Sequence, residues 1–98
     1  MKTIYKYPLE PLHHQILPLP QGAAILAVGS QRRMVCLWAV VDPEEPPVDH
    51  QIYLVETGSD LTEKQLESHY YGTVQFVGGS YILHAFGTAP RYVSGEPK

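Results

Sequence analysis

The sequence predicts an all-β domain: a small antiparallel sandwich or partly open barrel of roughly six or seven strands, with at most one short helix. Three observations point there. Short runs rich in β-branched and aromatic residues recur along the chain, prolines and glycines punctuate the gaps between them, and Gly78-Gly79 separates two such runs as a tight hairpin turn would.

The first run, Lys2 to Tyr7, reads as an edge strand because Pro8 has no backbone N–H to donate to a ladder. Gln15 to Leu19 is a second extended piece bracketed by Pro11, Pro18 and Pro20, again suited to an edge. Gln21-Gly22 marks a turn, after which Ala23–Val28 and Met34–Val41 form a hairpin joined by Gly29 to Arg33. Val35 to Val41 is apolar without alternation, so both faces of that strand are expected to be covered. A buried helix is the rival reading of the run, and its β-branched and aromatic content favours the strand.

Asp42 to Pro47 is an acidic, proline-rich loop that cannot continue a sheet. His50 to Glu56 alternates, with Ile52 and Leu54 on one face and Gln51, Tyr53 and Val55 on the other. Ser59 or Asp60 is the expected cap of one short helix through Thr62–Leu66. Tyr71–Val77 and Ser80–Phe86 form the last hairpin, and residues 88–98, carrying Pro90, Gly95 and Pro97, read as a flexible tail after a single β domain over residues 1–87. Sandwich and barrel share this pattern and differ only in closure; the sandwich is the preferred form.

Composition bounds the function. A chain of 98 residues holds one core and no separate catalytic module. Charged residues make up 17%, below the roughly 25% usual for soluble domains. Uncharged surface is therefore expected to meet another copy of the chain or a partner. A net charge of −3 offers no long-range attraction for duplex nucleic acid. The lone Cys36 forms no internal disulfide, no secretory leader pattern follows Met1, and no apolar stretch approaches the roughly 20 residues that span a bilayer, so the cytoplasm is the expected location and no membrane partner is expected.

The five histidines, His13, His14, His50, His69 and His84, show no metal-ligand spacing, and Cys36 sits in the most apolar run, where a thiol is inert. No phosphate-loop pattern accompanies the glycines. No catalytic residue, cofactor or metal site is expected. What remains is a pair of guanidinium groups, Arg32-Arg33, at the hairpin tip, able to clamp phosphate or an acidic protein patch, and the aromatic pair Tyr70-Tyr71, able to stack on a base. These four are the candidate ligand-binding residues.

The segments MKTIYKYPL, LPQGAAILAVGSQ, CLWAVVDP, GTVQ and HAFG resemble a group of short phage and prophage proteins, over most of residues 1–87. That group carries no established activity, so the resemblance implies a setting and no site residue. In that setting the first expectation is a homo-oligomeric, non-enzymatic accessory protein that counters host defence by sequestering a nucleotide-type signal, Tyr70 or Tyr71 stacking on a base while Arg32 or Arg33 meets phosphate. A protein–protein inhibitor of a host defence component, anti-CRISPR-like, is the second expectation. A virion or structural role and, last, a small hydrolase using convergent histidines complete the set.

Overall fold

The computed structural model describes residues 1–76 and 80–93, and these form two antiparallel sheets packed as a small all-β sandwich. The strands are β1 (Thr3–Pro8), β2 (His14–Pro20), β3 (Ala24–Gln31), β4 (Met34–Val41), β5 (Pro47–Glu56), β6 (His69–Phe76) and β7 (Tyr81–Gly87), with the short helix α1 (Glu63–Glu67) between β5 and β6. One sheet has the order β1-β4-β3 and the other β2-β5-β7-β6. Both proline-flanked runs lie at sheet edges, where a missing N–H faces outward and breaks no ladder.

β4 is central in its sheet, and its residues divide between the two faces. Val35, Leu37, Ala39 and Val41 point inward and are buried. Across the sandwich they share one apolar cluster with Ile52 and Leu54 of β5, Ala85 of β7, and Tyr71 and Val74 of β6. On the outer face Cys36 is also buried and Trp38 is half-buried, its ring lying so close over Gly29 that a Cβ there would come within 3.2 Å of it. Leu9, fully turned inward, closes the arch between β1 and β2 and donates its N–H to the Val35 carbonyl at 2.8 Å.

Several local expectations change. The β3–β4 connection is a two-residue turn, because the strands pair as far as Gln31 and Met34. Arg32 and Arg33 therefore both take left-handed backbone, at φ 52° and 65°. This is the geometry of a type I′ hairpin turn, which Asn-Gly adopts without the Cβ penalty that arginine incurs. Replacing the pair by Arg32→Asn and Arg33→Gly is expected to stabilise the fold by about 1–2 kcal/mol, read as a higher urea midpoint. The helix cap is Thr62 and neither Ser59 nor Asp60: the Thr62 hydroxyl accepts from the Gln65 N–H while the Gln65 side chain accepts from the Thr62 N–H, a reciprocal pair that neither upstream residue can make at that spacing. β5 starts at Pro47, so the acidic loop ends one residue early.

The chain also stays attached beyond Gly87. Thr88 exchanges hydrogen bonds with Gln51, Ala89 is fully buried and accepts the Tyr71 hydroxyl at 2.7 Å, and Pro90 and Tyr92 bracket Ile25 along the free side of β3. Composition alone placed these residues in the tail; pairing with an existing strand edge is what holds them. Residues 94–98 and the expected Gly78-Gly79 turn lie outside the described residues; β6 and β7 pair antiparallel as far as Phe76 and Tyr81.

Candidate functional site

The outer face of the four-stranded sheet carries the polar chemistry. Because side chains alternate along each strand, His14 of β2 lies directly opposite Tyr53 of β5. Their rings stack at a centroid distance of 5.1 Å and an interplanar angle of 18°. The His14 imidazole is also hydrogen-bonded to the Gln51 side chain, which fixes the ring over the strand. His13, one residue earlier, lies with Nε2 3.5 Å from a carboxylate oxygen of Glu56, both groups largely exposed.

The connection from β5 to β6 folds back over this face. Its helix buries none of its residues, so α1 stands off the sheet and an open cleft of about 910 Å³ lies beneath it. His13, His14, Gln51 and Tyr53, at the head of β2 and on β5, line it together with Thr62, Lys64, Gln65, Glu67 and Ser68 of the connection, His69 at the start of β6, and Thr88. That volume is in the range of small-molecule sites, roughly 300–1,000 Å³. Thr88 is held in place by its own hydroxyl, which accepts from the Gln51 N–H and meets His50 Nδ1, each at 3.0 Å. Burial holds the His50 imidazole below its ordinary pKa, with Asp49 opposing the shift.

A second polar constellation lies further along the same face. His84 Nε2 is 2.7 Å from the Thr57 hydroxyl and its Nδ1 is 2.9 Å from the Thr73 hydroxyl, which in turn bonds to the Tyr70 hydroxyl. Both ring nitrogens are thus engaged by neutral hydroxyl groups. Among the described residues no carboxylate bonds to this network, whose partners are the Thr57, Thr73 and Tyr70 hydroxyl groups. Among the described residues no group of three or more His, Cys, Asp or Glu side chains is placed to hold a metal ion.

The four residues singled out in the sequence do not converge on one pocket, and none of them lines the cleft. Arg32 and Arg33 are exposed at the β3–β4 turn. Tyr70 is exposed on the outer face of β6, tilted against Phe86 at 5.3 Å between centroids. Tyr71 is a correction. A register shift between Tyr70 and Gly72 turns it into the core, where it is 7% exposed and its hydroxyl donates to the Ala89 carbonyl. Burial pushes that phenol well above its usual range and leaves no ring face open to a base. What the sequence reading missed was the cleft itself. Its one local signal was the His13-His14 doublet at the head of an edge strand; the fold-back of α1 over that strand has no signature at the level of residue spacing.

Residues 1–95 match the model of a family described as a domain of unknown function, DUF7352. The chain belongs to that family. The match spans both sheets, the cleft and the β3–β4 turn, so the DUF7352 unit is the whole sandwich and not one of its halves. Searches of curated proteins and of solved structures returned no match. No helix among the described residues of this DUF7352 chain is long and apolar enough to cross a membrane.

Proposed function

We propose that this protein is a non-enzymatic binding module whose cleft beneath α1 takes a small anionic ligand of nucleotide type, sequestered by a phage or prophage accessory protein acting against host defence. The observation that carries the reading is the lining of the 910 Å³ cleft, which combines a flat stacked surface, His14 on Tyr53, with Lys64, His13 and His69 at its walls. An ammonium and imidazole groups complement phosphate oxygens, and the polar side chains of Gln51 and Thr88 can serve base or sugar edges. Glu67 accepts from an amino or hydroxyl group on the same ligand. Arg32, Arg33 and Tyr70 lie outside this site, so the binding role moves from them to the cleft residues.

Isothermal calorimetry against a panel of mono-, cyclic and cyclic-oligonucleotides, with inorganic phosphate as a reference, tests the proposal. At least one nucleotide is expected to bind, and Lys64→Ala is expected to weaken it by about tenfold, the loss of one charge-assisted contact of about 1.4 kcal/mol. Heat traces indistinguishable from dilution across the whole panel would sink the reading.

One observation favours a protein partner instead. Leu61 is 40% and Leu66 65% exposed on and beside a helix that buries nothing, a placement suited to contact with a host protein. Retention of a single host defence protein by immobilised wild type, lost with Leu66→Asp, would transfer the first choice to the inhibitor.

A further inference from the structure

The four sheet edges of this sandwich are not equally protected. β2 carries Pro18 and Pro20 on its own sheet edge. The edge of β3 is partly taken by the segment around Arg91, through the Ile25 N–H to the Pro90 carbonyl and the Tyr92 N–H to the Ile25 carbonyl. β6 packs against β3 so closely that a Cβ on Gly72 would stand 2.9 Å from Val28. β1 has β4 on one side and, among the described residues, no strand on the other. It also exposes apolar surface there: Ile4 is 57% and Tyr5 45% exposed.

The ladder fixes which backbone groups β1 leaves unpaired. The Leu9 N–H donates to Val35 of β4, so by the alternation of an antiparallel ladder the odd residues of β1 face β4 while Ile4 and Lys6 direct their N–H and C=O groups outward. Pro8 falls in the outward set, where its missing N–H costs the existing sheet nothing. A lysine often guards such an edge, but Lys6 does not: its ammonium is drawn back across β4 to the Gln31 side chain at 2.6 Å.

We propose that a second copy of this chain adds to that edge, β1 pairing antiparallel with β1 of the partner about a twofold axis at Tyr5, so that two three-stranded sheets become one continuous sheet. The register follows from charge. Centring the pair on Ile4 would set Lys2 directly opposite the partner's Lys6, a like-charge pair that destabilises a sheet. Centring it on Tyr5 sets Ile4 opposite the partner's Lys6, with reciprocal backbone hydrogen bonds, and Thr3 opposite the partner's Tyr7. Tyr5 then meets the partner's Tyr5 in the close, non-hydrogen-bonded position. Tyr5 and Tyr7 already sit on one face at 6.4 Å between centroids, so the axis gathers them into a single aromatic cluster. The cleft lies on the other sheet, and this inference stands or falls independently of the ligand proposal.

Analytical ultracentrifugation from micromolar to near-millimolar protein is expected to show a monomer–dimer equilibrium. Tyr5→Lys, which places two like charges on the axis, is expected to give a monomer with unchanged far-ultraviolet circular dichroism. In a Cys36→Ala background, Tyr5→Cys is expected to form a covalent dimer under mild oxidation, because the close antiparallel position brings Cα atoms to about 4.5 Å, within disulfide reach. Ile4→Cys is expected to remain uncrosslinked. A wild type that stays monomeric throughout, or a dimer that survives Tyr5→Lys, would overturn the interface; crosslinking through Ile4→Cys in place of Tyr5→Cys would overturn the register.

Discussion

Gly87→Ala is expected to destabilise the domain by about 3 kcal/mol, a methyl group forced into a site with no room to relax. Gly87 ends β7, pairs with both Ile52 and His69, and is buried. A Cβ there would sit 2.7 Å from the Gln51 carbonyl oxygen and 2.7 Å from the Tyr71 hydroxyl. One of those atoms belongs to the backbone of the neighbouring strand and the other to a buried ring anchored on Ala89, so neither can swing aside without breaking a hydrogen bond. For a domain whose total stability is roughly 5–15 kcal/mol, this is a large share. Urea unfolding followed by Trp38 fluorescence measures it. Gly22→Ala is the matched comparison: its φ of 84° strains any side chain, but nothing lies within 4 Å, so only the backbone cost of about 1 kcal/mol is expected. Equal losses from the two substitutions would refute the steric account. The Gly87→Ala/Tyr71→Phe pair is expected to be less destabilising than the sum of its parts, since removing the phenol oxygen relieves one of three close contacts and leaves those to the Gln51 carbonyl and to the Tyr71 ring carbon at 2.8 Å.

The consequence reaches the cleft. Thr88 follows Gly87 directly and is held to Gln51 by bonds in both directions, so a displaced Gly87 moves a lining residue of the site. A glycine buried between two strands is thus a determinant of site shape although it touches no ligand.

Much of the architecture was legible in the sequence because it is written in local chemistry. Prolines placed β1 and β2 at edges, and period-two alternation put Ile52 and Leu54 on one face of their strand, the face that the structure turns into the core. The unalternating run Val35 to Val41 was expected to be covered on both faces, and its strand is the central one of its sheet. The alternation missed that Tyr53 and Val55 are buried too, since their cover comes from His14 and from the β5–β6 connection, elements distant in sequence. The turn at Arg32-Arg33 was misjudged for a related reason: arginine carries no preference for left-handed backbone, and only the pairing of Gln31 with Met34 forces it. Tyr70 and Tyr71 looked equivalent because neighbouring aromatics differ only in which face they meet, and a register shift set by Gly72, at φ 146°, decided that Tyr71 goes inward. The cleft was hidden most completely. It joins the head of β2, the middle of β5 and a helix that buries none of its residues, and no spacing rule links these three.

Leu37→Ala is expected to cost about 3 kcal/mol, several times the loss from Cys36→Ala, although the two residues are neighbours and both are buried. Leu37 is fully enclosed on the inner face, opposite Tyr7 on one side and Val28 on the other, within the cluster that includes Ile52 and Leu54 of the facing sheet. Truncating it leaves a void walled by two sheets whose backbones are fixed by ladder hydrogen bonds, so the cavity cannot collapse and its cost adds to the lost transfer energy. Cys36 faces outward, opposite Pro8 and a glycine, Gly29, and its thiol lies 3.9 Å from the Met34 carbonyl, a long hydrogen-bond contact. Removing one sulfur atom there is expected to cost about 1 kcal/mol, because it deletes less apolar volume than Leu37→Ala does and Cys36 lies outside the apolar cluster between the sheets. Chemical denaturation of both variants measures the difference between the faces of β4. Comparable losses would mean that the outer face of this three-stranded sheet is packed as rigidly as the inner one.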